Sequence, residues 1–196
     1  MPEGSARGVI AIDVDDTLND FSETLARTEF VRDRSSPLSD ETFARYLEKV
    51  RTDAHDESDL LSTEYSYFRA KIHEECYRRA RPRPDAVTFV HSLKEKGWTI
   101  VICTYRDLRR SGRSTREWLE QNDIPFDHLF MARNKIVFCR LWEIRYLIDD
   151  DTFNILYGGA HGVEVFYPKT RRHEALGPHK ARGFVSLDEV RQWIGG

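Results

Sequence analysis

The sequence predicts an α/β fold: a Rossmann-like three-layer αβα sandwich with a parallel sheet, plus a small helical cap inserted after strand one. Short apolar runs alternate with segments of helical periodicity, which is typical of a parallel sheet between two helix layers. Several of these runs end abruptly in aspartate or threonine, and ligands of such sheets bind at the carboxyl ends of the strands. The alternation is interrupted once, because residues 20–84 are helical and aromatic in pattern and contain no predicted strand.

The first predicted strand, residues 8–12, is an apolar run that ends in three aspartates and a threonine. No polar residue interrupts the run, which indicates a strand buried on both faces. Side chains alternate along an extended chain, so Asp13 and Asp15 are predicted to point the same way while Val14 points elsewhere. Two carboxylates held together repel each other unless a cation neutralises them. The plainer interpretation is an acidic loop in solvent, and Asp16 fits that description best.

Residues 20–84 are predicted to form the cap, and residues 1–19 and 85–196 the catalytic core. Ser39 is placed to cap a second helix of the cap, and apolar residues three or four apart predict a third helix over residues 65–76. The polar stretch between these two helices is predicted to be a connection. Two prolines near residue 83 end the region, because proline does not fit a helix interior.

From residue 85 onward, strands and helices alternate. Strands are predicted at residues 98–103, 127–131, 146–148 and 163–166, and helices at residues 85–96, 109–122, 137–145 and 154–157 and after residue 186. Gly97 is predicted to close the first of these helices, and Ser186 with Glu189 forms a capping-box pattern that opens the last one. Because the carboxyl ends of parallel strands meet at one edge of a sheet, the residues that follow the strands are predicted to lie close together.

Composition limits the kind of protein this is. The chain has 196 residues, 32% of them charged, and a net charge of −3, which argues against a general nucleic-acid or membrane-surface binder. Cys76, Cys103 and Cys139 form no Cys-x-x-Cys pair and are predicted to be free thiols in a reducing compartment. No run is long enough to span a membrane, and residues 1–7 lack a signal-peptide core. We expect a cytoplasmic protein without a membrane partner; its oligomeric state is not predicted.

The residues at the strand ends resemble the motif set of the haloacid dehalogenase-like superfamily. The set consists of Asp-x-Asp-x-Thr beginning at Asp13, a lone Thr104 after strand two, Lys135 after strand three, and the Asp149-Asp150 pair after strand four, in this order. The Thr-x-Arg that begins at Thr104 and the Ile-Asp-Asp that ends at Asp150 are similar to the 5′(3′)-deoxyribonucleotidase-like branch. The helical insertion occupies the place of a C1-type cap in that superfamily, although its own sequence matches no motif.

This resemblance implies a site for phosphoryl transfer. Asp13 would be the nucleophile that forms an aspartyl-phosphate, and Asp15 the general acid and base. The implied phosphate-binding residues are Thr104, Tyr105 and Lys135, with Thr17 and Arg106 in support. Mg²⁺ is the implied cofactor, and its implied ligands are the Asp13 carboxylate, the Asp15 backbone carbonyl and a carboxylate from Asp149 or Asp150. Which member of the Asp149-Asp150 pair ligates directly stays open, as does whether Arg106 reaches substrate or forms a surface salt bridge.

The implied function is a Mg²⁺-dependent phosphomonoester hydrolase acting on a small phosphorylated substrate, with a 5′-nucleotidase on nucleoside monophosphates as one candidate. Asp15 favours hydrolysis over dehalogenation, because a dehalogenase needs no acid at that position. One alternative is a nucleic-acid 3′-phosphatase-like enzyme, which would need a single basic rim formed by Arg79, Arg81, Arg83, Arg109, Arg110, Arg113 and Arg116. The other alternative is a non-catalytic protein of the same fold that binds a metal or phosphate.

The aromatic residues of the cap have two interpretations. They stack on a base or ring of the substrate, as in a nucleotidase, or they form the hydrophobic core of the cap itself. The residues concerned are Phe21, Tyr46, Tyr65, Tyr67 and Phe68.

Overall fold

The computed structural model describes residues 7–34, 36–54 and 56–195, which form two compact units. The core unit comprises the described chain up to Asp20 together with the chain from Arg81 onward, and the helical unit is Phe21–Ala80. The described helices are α1 Phe21–Arg27, α2 Asp40–Thr52, α3 Glu57–Leu61, α4 Thr63–Arg79, α5 Ala86–Glu95, α6 Leu108–Gln121, α7 Lys135–Leu141, α8 Thr152–Tyr157 and α9 Leu187–Gly195. Among these helices, none combines the length and the apolar character that a membrane span requires.

A six-stranded parallel sheet lies at the centre of the core unit, with the strand order β3-β2-β1-β4-β5-β6. The strands are β1 Gly8–Ile12, β2 Trp98–Thr104, β3 His128–Met131, β4 Tyr146–Ile148, β5 Glu164–Pro168 and β6 Arg182–Phe184. Ile12 of β1 lies beside Ile102 of β2 and Ile148 of β4, so the first strand is central. This position explains its uninterrupted apolar run, because a central parallel strand is covered on both faces. The predicted α/β fold is confirmed.

Helices cover both faces of the sheet. The side chains of β1 alternate between these faces and show which helices lie on each one. Ile10 and Ile12 pack in one hydrophobic cluster with side chains of α5, α6 and α9, whereas Ala11 packs in a second cluster with side chains of α7 and α8. Trp118 of α6 is 2% exposed and is among the largest side chains of the first cluster. The core unit is therefore a three-layer αβα sandwich.

The sixth strand was not predicted from the sequence. Arg182–Phe184 pairs in parallel with Phe166–Pro168 of β5 at the edge of the sheet. Phe184 alone among its three residues is buried, so neither an apolar run nor an alternation marks the strand in the sequence. Pairing with a neighbouring strand decides its conformation, as is common at sheet edges.

The helical unit forms its own hydrophobic core. Ser39 caps α2 by accepting a hydrogen bond from the Thr42 N–H at 3.1 Å, as predicted. The short helix α3 lies inside the stretch that was predicted to be a connection, and Asp56 with Asp59 forms its capping box. Local side-chain capping thus produces a helix where the hydrophobic pattern indicated none.

The aromatic residues of the helical unit are mostly core. Tyr46, Tyr65 and Phe68 are buried in its hydrophobic cluster, where the Tyr46 and Tyr65 ring centroids lie 5.0 Å apart. Phe21 is partly buried against the same cluster. Tyr67, by contrast, is 64% exposed. Of the two interpretations, packing within the unit accounts for Tyr46, Tyr65 and Phe68, and Tyr67 alone of the five is an exposed ring.

Asp127, just before β3, connects strand β2 to helix α5. Its carboxylate accepts hydrogen bonds from the Ile100 N–H at 2.7 Å and from Lys94 Nζ at 2.6 and 2.8 Å. Partial burial by itself would raise the pKa of Asp127, but the Lys94 ammonium and the Ile100 N–H outweigh it and hold this pKa below its ordinary value.

Asp127→Asn is therefore expected to lower the free energy of unfolding by about 1 kcal/mol at pH 7. Because the pKa of Asp127 is lower in the folded than in the unfolded protein, its ionised carboxylate stabilises the fold at pH values above the unfolded-state pKa. This stabilisation is lost as the pH falls through the folded-state pKa. Urea unfolding of both proteins from pH 7 to pH 3 measures it. The difference should shrink in acid, and a difference that stays constant over this range would contradict the ionic explanation. Asp188→Asn, at an exposed aspartate of α9 whose ion pair with Arg191 is also exposed, is the control.

Candidate active site

The end of β1 carries the first group of candidate residues. The Asp13 N–H donates to the Ile148 carbonyl at 2.9 Å and extends the pairing with β4 by one residue, while Val14 is fully buried in the core. The chain turns at Asp16, whose φ of 55° lies in the left-handed region that aspartate tolerates. The Asp16 N–H donates to Asn19 Oδ1 at 3.1 Å. Asp16 is half-buried rather than fully exposed as the sequence indicated.

Lys135 joins two aspartates from neighbouring strands. Its Nζ lies 2.9 Å from Asp13 Oδ2 and 2.8 Å from Asp149 Oδ2, and all three side chains are buried. Burial by itself would lower the pKa of Lys135, but the two carboxylates outweigh burial and raise this pKa. Lys135 is the first residue of α7, two residues before the predicted start of that helix. The Asn134 side chain caps α7 by accepting from the Val137 N–H at 3.0 Å.

The Asp13 carboxyl is strongly perturbed. Burial, which is the largest cause, raises its pKa to about 7 together with the carboxylates of Asp149 and Asp15, despite the opposing Lys135 ammonium. Asp13 Oδ2 is bound by Lys135, but the buried Asp13 Oδ1 has no hydrogen-bond partner. A buried polar atom without a partner is costly, so this oxygen is placed to accept a contact from a cation or from a hydrogen-bond donor.

Asp149 and Asp150 occupy different environments. Asp149 is fully buried, and its oxygens accept from the Asp151 N–H at 2.8 Å, from Lys135, and from Asn154 Nδ2 at 3.2 Å. The Asp150 carboxylate is bound by the Arg172 guanidinium, which also donates to the Asp150 carbonyl at 2.9 Å. Burial and the carboxylates of Asp13 and Asp149 raise the pKa of Asp150, and Arg172 opposes them.

Three carboxylates at this edge of the sheet fit a hard cation. Asp13, Asp149 and Asp150 are all buried, and each offers one oxygen within 4.8 Å of the others. Carboxylate oxygens are ligands that Mg²⁺ prefers, and a divalent ion would relieve the repulsion that raises the pKa of two of these groups. The residues present therefore match the implied cofactor.

Two predicted threonines contribute buried hydroxyl groups. Thr104 ends β2 beside β1, and its Oγ1 is buried and has no hydrogen-bond partner. Thr17 Oγ1 is likewise buried without a partner. Tyr105, by contrast, has a ring that is 64% exposed, with the Arg133 guanidinium 5.9 Å from the ring centroid. Thr104 thus adds a hydroxyl group without a hydrogen-bond partner among the described residues, at the same end of the strands as Asp13. The Tyr105 ring, by contrast, faces outward.

Arg106 forms a salt bridge that the sequence only partly indicated. Its Nε and Nη2 donate to the two oxygens of Asp15 at 2.8 and 2.5 Å, and its Nη1 donates to Thr115 Oγ1 at 3.0 Å. The Arg106 side chain is fully buried, so this pair is not the surface salt bridge considered above. Asn19 Nδ2 donates to Asp15 at 3.3 Å. A bidentate arginine fixes both the position and the plane of a carboxylate, which gives Asp15 one defined orientation.

Sequence reasoning missed Arg172 and His173, which follow β5. The buried His173 ring lies between two strand ends, with Nδ1 2.8 Å from the Pro168 carbonyl and Nε2 2.9 Å from the Asp150 carbonyl. No ligand spacing marks His173 among the seven histidines; the only available signal was its place just after a strand.

The arginines considered as a nucleic-acid rim are partly neutralised. Arg79 pairs with Glu75 at 2.6 Å and Arg113 pairs with Glu117 at 2.6 Å, each one turn away on its own helix. The Arg83 guanidinium donates to the Val185 carbonyl at 3.0 Å. Salt bridges one helical turn apart are typical of solvent-exposed helix faces, and they do not favour a polynucleotide substrate.

Comparison with solved structures finds similar folds over nearly the whole chain. A haloacid dehalogenase-like hydrolase, SP0104 from Streptococcus pneumoniae, shares 13% identity at a TM-score of 0.63, covering 95% of this chain and 97% of that one. The HAD hydrolase YfnB from Bacillus subtilis, in a magnesium-bound crystal structure, shares 16% identity at a TM-score of 0.62, with 96% and 98% covered. The D,D-heptose 1,7-bisphosphate phosphatase from B. bronchiseptica, complexed with magnesium and phosphate, shares 13% identity at 0.53, with 95% and 97% covered.

At these identities the likeness establishes the fold. The predicted resemblance to the haloacid dehalogenase-like proteins is thereby confirmed at the level of the fold, without assigning a branch. Neither the protein-family models nor the curated proteins give a match to the sequence.

Proposed function

We propose that this protein, whose fold is that of the haloacid dehalogenase-like hydrolases, is a Mg²⁺-dependent phosphomonoester hydrolase that works through an aspartyl-phosphate. The observation that carries this proposal is the buried cluster in which Lys135 bridges Asp13 and Asp149 while Asp13 Oδ1 is left without a partner. The Asp13 carboxylate is thus stabilised by the Lys135 ammonium on one oxygen, and its other oxygen can attack phosphorus. No other described residues combine these properties with a potential metal site.

Three side chains would act on the phosphoryl group. Asp13 attacks phosphorus, and the bond to the leaving oxygen breaks as the aspartyl-phosphate forms. Thr104 Oγ1 has no hydrogen-bond partner among the described residues and can donate to a phosphoryl oxygen, while the Lys135 ammonium balances the charge on Asp13 and on the transferred group. Water then attacks the aspartyl-phosphate, releases phosphate and restores Asp13.

Mg²⁺ would be held by Asp13 and Asp150, and it would supply charge neutralisation to the phosphoryl oxygens. We propose Asp150 as the direct ligand because Asp149 already accepts from Lys135, from Asn154 and from the Asp151 N–H. Among the ion pairs of the described residues, the Asp150 carboxylate has one partner, Arg172, whose side chain is 53% exposed. Asp149 then serves to hold Lys135.

Asp15 would be the general acid and base, with Arg106 as its positioning residue. The two hydrogen bonds from Arg106 orient the Asp15 carboxyl, and the Thr115 hydroxyl in turn fixes Arg106. A general acid must lie within hydrogen-bond reach of the leaving oxygen, so orientation is as important as proton affinity.

Asp15→Asn is expected to slow hydrolysis by about 10²- to 10⁴-fold for alkyl phosphates, because an alkoxide leaves poorly without a proton. The loss should be at least tenfold smaller for p-nitrophenyl phosphate, whose phenolate leaves without protonation. Steady-state kcat values for the two substrates measure the difference. Equal losses on both substrates would remove the role of general acid from Asp15.

The substrate is proposed to be small, with a nucleoside monophosphate as one candidate. The order of motifs that resembles the deoxyribonucleotidase-like branch supports this candidate, and the chain position of the helical unit, directly after the first site motif, supports a role for it as a cap.

Phosphate release from a panel of monoesters, measured with and without Mg²⁺, tests the proposed function. The panel contains nucleoside 3′- and 5′-monophosphates, sugar phosphates and p-nitrophenyl phosphate. We expect Mg²⁺-dependent release from at least one member of this panel, abolished by EDTA and restored by added Mg²⁺. Release that is unaffected by EDTA, or no release from any monoester, would overturn the proposal.

A further inference from the structure

The segment that follows β5 forms a basic cavity beside the candidate active site. A cavity of about 520 Å³ is lined by Tyr167, Lys169, Thr170, Arg171, His173 and Glu174. It lies at the carboxyl end of β5, the edge of the sheet at which ligands of such folds bind. The buried His173 ring belongs to its wall and also contacts the Asp150 carbonyl, so the cavity adjoins the proposed metal ligand.

The charge of this segment is opposite to that of the chain as a whole. Between residues 169 and 182 the chain carries five lysines and arginines and a single acid, Glu174, although the net charge of the protein is −3. Two of the cations, Lys169 and Arg171, line the cavity and are exposed. An exposed concentration of one charge in a concave surface attracts ligands of the opposite charge.

Neither of these two cations forms a salt bridge among the described residues, although the Lys169 ammonium contributes to lowering the pKa of Glu189. Arg172 binds Asp150 and Arg182 lies 3.7 Å from Glu164, whereas none of the ion pairs found among the described residues includes Lys169 or Arg171. The Lys169 stem packs over Gly183, where an added Cβ would lie 2.8 Å from its Cγ, so the stem is held at the cavity wall. The cavity therefore presents one ammonium group, from Lys169, and one guanidinium group, from Arg171. Thr170, with its hydroxyl, stands between them in the sequence.

We propose that this cavity binds a second phosphate group of the substrate, so that the enzyme prefers bisphosphorylated small molecules over monophosphates. This inference rests on the proposed phosphatase function. Lys169 would supply a point charge, and Arg171 a planar set of donors that matches a phosphate. The phosphate that is hydrolysed lies at Asp13, and the second phosphate lies in the cavity and fixes the orientation of the substrate.

The test compares matched pairs of substrates in the presence of Mg²⁺. One pair is fructose 6-phosphate and fructose 1,6-bisphosphate, and another is adenosine 3′-phosphate and adenosine 3′,5′-bisphosphate. We expect the second phosphate to raise kcat/KM by about 10- to 100-fold in at least one pair, mainly through KM. The double variant Lys169→Met, Arg171→Met should lose this advantage and change kcat/KM for the monophosphate by less than about twofold.

Two controls distinguish the loss of charge in the cavity from a loss of packing and from the loss of an exposed cation elsewhere. Methionine keeps the apolar stem that packs on Gly183. Arg145→Met removes one exposed cation just before β4, at the amino-terminal end of the strands, whereas the cavity lies at their carboxyl-terminal end. Arg145→Met should leave the preference intact. A double variant that loses activity equally on both members of each pair, or a wild type without any preference, would overturn the inference.

A binding measurement keeps the inference testable if no monoester is hydrolysed. Calorimetric titration with sodium sulfate in the absence of Mg²⁺ probes the cavity directly. Binding that is weakened at least tenfold in the double variant, but not in Arg145→Met, supports an anion site even where the proposed function fails. Binding of equal strength in all three proteins, or none in the wild type, overturns it.

Discussion

Replacing Asp13 by asparagine is expected to reduce kcat by about 10⁴-fold or more, because no other group in the site can take over the attack on phosphorus. The variant should still fold, since Lys135 keeps its contact with Asp149 at 2.8 Å and a strained buried carboxyl is replaced by a neutral amide. Phosphate release under saturating substrate and Mg²⁺ measures the loss, and circular dichroism checks the fold.

Asp123→Asn is the matched control for this experiment. Asp123 is an exposed aspartate of the core unit with a φ of 54°, a left-handed conformation that asparagine also tolerates. Its replacement should leave kcat within about twofold, as surface substitutions away from a site usually do. A fully folded Asp13→Asn protein that retains more than a few per cent of wild-type activity would exclude Asp13 as the nucleophile.

Lys135→Met is expected to have the second large effect, on stability as well as on activity. Removing one partner of a buried ion pair leaves the others buried and uncompensated, at a cost of about 3–5 kcal/mol in the free energy of unfolding. In this protein the groups left behind are Asp13 and Asp149, each buried and each already close to another carboxylate. We also expect kcat to fall by about 10³-fold, because positive charge is lost beside the transferred phosphoryl group.

Lys94→Met shows whether burial is the cause of this cost. The Lys94 ammonium contacts Asp127 at 2.6 and 2.8 Å, distances as short as those of Lys135, but the two side chains are 35% and 31% exposed. An exposed pair of this kind contributes only about 0–1 kcal/mol. Urea unfolding without Mg²⁺ compares the two variants. Losses of equal size would show that the buried cluster is not the reason for the instability of Lys135→Met.

Mg²⁺ should partly restore the stability of Lys135→Met. A divalent cation bound to Asp13 and Asp150 supplies positive charge to the same cluster, and binding to the folded state alone stabilises it. Repeating the unfolding at increasing Mg²⁺ concentration should therefore raise the midpoint more for Lys135→Met than for Lys94→Met. Equal shifts in the two variants would argue against a metal site at these aspartates.

The order of the chain alone predicted where the candidate site lies. Each of Asp13, Thr104 and Asp149 directly follows an apolar run, and the rule that parallel strands share a carboxyl edge was enough to bring them together. The structure places Lys135 between Asp13 and Asp149, as a site built from strand ends requires. Such predictions can be made because hydrophobic periodicity is a local property that reflects burial directly.

The sequence did not reveal the partners that hold these groups in place. The buried bond between Arg106 and Asp15 joins residues 91 positions apart, and Arg172 reaches Asp150 from a loop 22 positions away. No periodicity connects such residues, because their contact is produced by the packing of separate elements. The short strand β6 has the same origin, since pairing at a sheet edge rather than its own side chains decides its conformation.

The sequence by itself thus predicted the α/β class, the burial of β1 on both faces and the set of acidic, threonine and lysine residues at the carboxyl ends of the strands. The tertiary structure alone decided which carboxylate each cation serves, and hence that Asp150, rather than the saturated Asp149, is the better candidate for a metal ligand. The physical reason is that the location of each strand follows from its local hydrophobic pattern, whereas charge pairing depends on distances between side chains that are remote in the chain.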